Sequence, residues 1–163
     1  MIFKDFPDFQ PNISPKQMFM YGIVGGTYFR KITSPTTNKT YQNHYKKIKF
    51  LNNINKNNII NNIYNKNINY YKCKVGSSYE YWCMKNWINE KYDPYGWIEW
   101  YCNFYLGRRT PDDKRQINRW KAIAGINGRF RKMLENKIKK DKTKKYNKLK
   151  QTLLQWGVFY EFL

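Results

Sequence analysis

Apolar side chains recur at helical spacing through the second half of the chain and lose that period in the first. Trp97, Trp100, Tyr101, Phe104 and Tyr105 fall at i, i+3, i+4, i+7 and i+8, one continuous face of an α-helix. Asp93-Pro94 in front of them reads as an N-cap followed by Pro at the first helical position, and Gly107 behind them as a C-terminal cap. Thr110-Pro111-Asp112-Asp113 opens a second helix, over 111–124, with acidic groups in the first turn where the macrodipole favours them. Its apolar positions are Ile117, Trp120 and Ala124, and Gly125 ends it. Across Ile126-Asn127-Gly128, a third helix over 128–140 sets Phe130, Leu134 and Ile138 on one side. A fourth places Tyr146, Leu149, Leu153 and Trp156 on a face and stops at Gly157.

The first half is punctuated by turns. Ser14-Pro15-Lys16-Gln17 is a capping box with Pro at the first helical position, and Gly22 marks where that short helix stops. Ser77-Ser78-Tyr79-Glu80 is a second capping box, opening a short helix that carries Trp82. Between the two, the β-branched and aromatic run after Gly25-Gly26 reads as a strand near 27–33, closed by Ser34-Pro35. The glycine pair belongs to no GxGxxG or Gly-Lys-Ser/Thr pattern, so it reads as a tight turn rather than a phosphate loop. Residues 52–69 hold ten Asn among Ile and Lys without helical or strand period. The stretch from about 50 to 69 therefore reads as a flexible, low-complexity insertion. The fold class expected is mainly α: a compact helical domain with a helix-turn-helix-like pair and a small β element near the N-terminus. A length of 163 residues suits a single domain, 1–163, with one core.

Charge changes this picture from fold toward partner. Thirty-one Lys and Arg against eleven Asp and Glu give a net charge of +20, and a polyanion would relieve the resulting self-repulsion. Nucleic acid is the first candidate, with an anionic membrane surface well behind it. Residues 129–150 alone carry eleven cations against Glu135 and Asp141. A bias toward A and T in the coding sequence would enrich Lys, Asn, Ile and Tyr without selection for binding, so arginine placement is the more informative signal. Arginines gather at Arg108, Arg109, Arg115, Arg119, Arg129 and Arg131, where planar bidentate contacts to phosphate or a guanine edge would be used.

The residues that could carry chemistry are few. His44 is the only histidine, and Cys73, Cys83 and Cys102 form no CxxC pair, so neither a zinc site nor a His-dependent triad assembles from this chain by ordinary rules. An odd number of scattered cysteines also fits a reducing compartment better than a disulfide framework. No apolar run has signal-peptide or bilayer-spanning length. With Arg108 and Arg109 at the corner before the 111–124 helix, Asp112 and Asp113 can serve as structural partners of nearby arginines or as braces that aim them at a ligand. A third option makes the two aspartates catalytic, binding Mg²⁺ or activating water in a metal-dependent nuclease or a base-excising glycosylase. In a helix-turn-helix geometry Asn127, Arg129, Arg131 and Lys132 would face a groove. The aromatic stripe at 97–105 reads as core, which leaves Tyr28, Tyr79 and Tyr81 as the freer candidates for base stacking.

The run DPYGWIEWYCNFYLGRRTPDDKRQINRW, residues 93–120, resembles the signature of an uncharacterised family of small proteins from large DNA viruses and microbial eukaryotes. PNISPKQMFMYGIVGGTYFRKI, NGRFRKML and QTLLQWG are similar to flanking blocks of that family, so the likeness covers most of residues 5–34 and 70–157. Glu99 departs from it, because the family pattern has an uncharged amide there. The resemblance implies a viral or protist product acting in genome packaging, replication or repair, located in the nucleus, a cytoplasmic viral factory or the virion. It carries no established activity. The expectation is a basic protein that binds nucleic acid, with DNA the leading candidate, mainly through phosphate contacts and without a cofactor. The alternatives are the Asp112/Asp113 enzyme and a structural virion or adaptor protein.

Overall fold

Ser14 caps the first helix in the way the sequence pattern requires. Its hydroxyl accepts from the Gln17 amide while the Gln17 side chain accepts from the Ser14 amide, and α1 runs Pro15–Tyr21. The computed structural model describes residues 1–163 and is mainly α. After α1 come a short antiparallel pair, β1 (Ile32–Thr33) and β2 (Thr40–Tyr41), and then α2 (Tyr79–Met84) and α3 (Trp97–Tyr105). The chain closes with α4 (Asp113–Ile123), α5 (Arg129–Lys140) and α6 (Asn147–Gln155).

Several boundaries move for identifiable reasons. The strand expected near 27–33 shrinks to Ile32–Thr33, because Val24–Gly26 form a tight helical turn. Both glycines there have positive φ, and their amides are spent on Asn69 Oδ1 and the Ile23 carbonyl. The tight-turn reading therefore holds. Asp93 does not cap α3: the helix begins only after Gly96, whose φ of +89° breaks the chain direction. Glu99 instead reaches back to accept from the Tyr95 amide, at 2.9 Å. Thr110 and Asp113 close the turn before α4, the carboxylate accepting from both the amide and the hydroxyl of Thr110.

The core is a cluster of 31 buried side chains, and α3 runs through it. Phe9, on the irregular N-terminal segment, sits with its ring edge-to-face against Trp97, Tyr101, Phe104 and Trp120 at 5.1–6.0 Å. Aromatic edges meeting aromatic faces is the arrangement their quadrupoles favour. Of the tyrosines set apart for stacking, Tyr28 and Tyr79 are core residues, 3% and 4% exposed, and donate to the Tyr95 and Pro94 carbonyls. Tyr81 remains exposed and lies edge-on to Trp87. No helix is long and apolar enough to cross a membrane.

The Asn-rich stretch corrects the reading as a flexible insertion. Ile48, Leu51, Ile54 and Ile59 are buried from successive tight turns, and Asn55 and Asn65 cap two of those turns by accepting from Asn57 and Asn67 amides. The segment lies directly on the glycine turns of the N-terminal half. A Cβ on Gly22 would fall 1.9 Å from the Ile68 carbonyl oxygen, and one on Gly26 would fall 2.1 Å from that of Asn57. Asn69 is fully buried: its Oδ1 accepts from the Gly25 amide, and its Nδ2 donates to the Tyr64 hydroxyl and the Cys73 carbonyl. Asn69→Ala should destabilise the protein by about 1–3 kcal/mol, since it strands the buried Gly25 amide and removes the bonds to the half-buried Tyr64 hydroxyl and Cys73 carbonyl, whereas the exposed Asn62→Ala should stay within about 0.5 kcal/mol of wild type. Urea unfolding of the two variants is the measurement.

Candidate functional site

The ionic run after Gly107 turns inward. Arg108 pairs with buried Asp93 and donates to the Tyr92 carbonyl. Arg109 is held in a fork by Asp5 and lies over the Phe104 ring, 3.8 Å from its centroid. Arg115 makes a bidentate pair with Asp112 and also donates to the Trp87 carbonyl. These three arginines thus brace loops and helix starts with most of their donors. Asp112 and Asp113 are 6% and 3% exposed. Gln116 also donates to Asp112, while Asp113 accepts from the Trp100 indole and from Thr110.

Burial and charge act on these groups in opposite directions. Burial pushes the Asp112 carboxyl up, but hydrogen bonds and charge from Arg115 more than offset it, so the group stays below its ordinary 3.8. For Asp93 burial prevails over Arg108, and its carboxyl rises. Glu99 is 4% exposed and pairs with His44 Nδ1. An amide at that position could accept the same Tyr95 hydrogen bond. Arg119 is lowered to about 10 by burial first and by the charge of Arg115 second.

Arg119 leads to the second part of the site. Its Nη1 donates to the Trp87 carbonyl and to Gln116, and its guanidinium lies 5.6 Å and 5.5 Å from the Trp87 and Trp156 ring centroids. No hydrogen bond within the protein engages its Nε or Nη2. It lines a cavity of about 630 Å³ between α4, the start of α5, α6 and the loop around residues 74–77. Trp82, Trp87, Trp97 and Trp156 supply much of the wall. Lys74, Arg119, Arg129 and Lys148 supply its charge, and none of these four lies within 4.0 Å of a carboxylate. The lining contains no Asp, Glu, His or Cys.

Polar groups in this cavity are left unspent. The indole N–H groups of Trp97, Trp100 and Trp120 donate to Gln155 O, Asp113 and Trp156 O. The other three indoles, on Trp82, Trp87 and Trp156, have no acceptor within the protein, and all three line the cavity. Gln155 lines it too, and its buried Nε2 has no partner. Gln155 Nε2 and, outside the cavity, Arg108 Nε are the buried side-chain donors without a partner; since buried donors are nearly always satisfied, the Gln155 amide marks this cavity as a candidate ligand site.

The remaining sequence candidates fall around this opening or away from it. α4 and α5 pack as consecutive helices joined through residues 124–128, the helix-turn-helix-like pair expected. Arg129, at the first turn of α5, faces the cavity, with its guanidinium 4.9 Å from the Phe130 ring centroid. Asn127 is exposed, while Arg131 and Lys132 share Glu135 at 3.2 and 3.5 Å. Sequence reasoning missed Lys74, Trp87, Lys148 and Gln155 as site residues and placed Trp82 and Trp156 only as helical residues. No spacing rule joins positions 74–88, 119, 129 and 148–156, so the constellation exists only in three dimensions.

Compared with known proteins, the chain matches no family model, no curated protein and no solved structure. The Asp112–Arg115 pair can be tested by titration. A carboxyl held below 3.8 contributes stability that is present above that pH and is lost as pH falls through its depressed value. Asp112→Asn should therefore cost about 1–3 kcal/mol at neutral pH, at the lower end because Arg115 is partly exposed. In urea unfolding across pH, the gap to wild type should close below pH 3.8.

Proposed function

We propose that this protein binds nucleic acid, with DNA the leading candidate, chiefly through contacts to phosphate. The observation that carries the reading is the convergence of Lys74, Arg119, Arg129 and Lys148, each from a different element, on one cavity without an acidic counter-charge. Like charges gathered at one site oppose folding, and a bound polyanion removes that cost. Eight of the 31 lysines and arginines lie within 4.0 Å of a carboxylate, which leaves 23 for solvent or a partner.

The arginine roles divide accordingly. Arg119 and Arg129 serve the ligand directly, Arg131 and Lys132 extend the positive surface along α5, and Asn127 adds a polar contact at its approach. Arg108, Arg109 and Arg115 support the frame on which these stand. Binding is favoured over catalysis by the placement of the acids. Asp112 and Asp113 do not line the cavity, and their oxygens are occupied by Arg115, Gln116, Trp100 and Thr110. A base-excising step would need a carboxylate beside the base.

Fluorescence anisotropy with a labelled duplex across a salt series tests the reading. A slope of log K against log[salt] of about −5 or steeper is expected, and replacing Lys74, Arg129 and Lys148 together by Gln should flatten it by about 2.7. The fold should persist, since none of the three has an acidic partner. A salt-independent affinity, or no binding at low salt, would sink the proposal.

A further inference from the structure

We infer that the cavity seats one unstacked nucleotide of the bound strand. Its base would lie among Trp82, Trp87 and Trp156, its polar edge would meet Gln155 and Arg119, and its phosphate would rest on Lys74, Arg129 and Lys148. The inference rests on the nucleic-acid reading and specifies what that reading leaves open: the form of nucleic acid recognised.

Size, charge and hydrogen-bonding capacity each narrow the occupant. At about 630 Å³ the cavity falls within the range of about 300–1,000 Å³ that encloses a compact organic ligand, and a nucleotide is of that size. Four uncompensated cations exclude a quaternary ammonium or methyl-lysine ligand, which an aromatic cage would otherwise suit. An acyl chain with an anionic head would satisfy the charge. It would leave the buried Gln155 amide facing hydrocarbon without a partner. A nucleobase satisfies both requirements, because it offers two flat apolar faces and an edge lined with acceptors. The guanidinium of Arg119, already set beside two indoles, adds a planar cation with free N–H groups.

A base inside a duplex cannot reach this seat, since both of its faces are covered by its neighbours. The nucleotide must be unpaired or swung out of the stack, and its stacking is then restored by the tryptophans. The protein would therefore prefer a strand with a looped-out nucleotide over a fully paired one. With no Asp, Glu, His or Cys in the lining, the seat reads the base rather than cutting it.

The test uses three labelled DNAs at one salt concentration: a fully paired duplex, the same duplex with one bulged nucleotide, and that bulge made abasic. The bulged duplex should bind at least about tenfold tighter than either of the others, the order expected when a bound base is lost. Two variants of the full chain should remove the preference, read for each variant as the ratio of its affinities for the bulged and the paired duplex. Gln155→Leu deletes an amide that has no internal partner. Ala122→Trp fills the cavity from an exposed position on α4. Equal binding of all three DNAs, or a preference that survives both variants, overturns the seat and leaves salt-dependent phosphate binding standing. If none of the DNAs binds at low salt, the nucleic-acid reading fails and the inference with it. Quenching of tryptophan fluorescence by deoxynucleoside monophosphates in that case would assign the cavity to a free nucleotide, which also overturns a seat for a strand.

Discussion

The burial of α3 on nearly every side is the constraint from which the rest of the structure follows. Seven of its nine residues are buried, and they include a glutamate as well as four of the five stripe aromatics, Tyr105 being exposed. A helix enclosed in this way needs packing partners in all directions. The N-terminal segment brings Phe9 to one side, α4 and α6 bring Trp120 and Trp156 to another, and Tyr28 and Tyr95 close a third. The buried carboxylates then need partners, because an ionised group taken from water without a counterpart is strongly destabilising. Glu99 finds His44 and the Tyr95 amide, and Asp93 next to the helix finds Arg108 and Asn103.

That requirement governs how a chain with few acids distributes its many cations. Asp93, Asp112 and Asp113 hold loop ends and helix starts, so the arginines nearest to them in sequence are drawn into the frame. Cations farther from any acid keep their charge for the surface. The cavity beside Arg119 gathers several cations without an acid. Trp97, Trp100 and Trp120 each find an acceptor for the indole N–H, whereas the half-buried Trp82, Trp87 and Trp156 find none within the protein, and the buried Gln155 amide stays unpaired.

The Asn-rich segment shows how composition can hide a structural role. Low complexity and the absence of a period suggested a peripheral loop. In the fold Ile48, Leu51, Ile54 and Ile59 come inward from tight turns at intervals of three to five residues, while Asn55 and Asn65 cap two of the turns in the segment. The capping property of Asn is local and was legible in principle. The fit against Gly22 and Gly26 was not, because it depends on two segments some forty residues apart meeting at backbone distance.

By itself the sequence determined the helices, since helical period, N-capping serines and terminating glycines are local properties that act over one or two turns, although only the Ser14–Gln17 capping box forms and α2 is capped by Ser78 alone. It also determined the excess of positive charge and assigned the stripe from Trp97 to Phe104 to the core, while Tyr105 at its end stays exposed. Only the tertiary structure decided which cations are free. Arg108 and Arg109 looked as available as Arg129, but the long-range approach of Asp5 and Asp93 binds the first two into the frame. The cavity belongs to the same class of fact. Lys74, Trp87, Arg119 and Gln155 share no local pattern, and what unites them is a space left by the packing of four separate elements around α3.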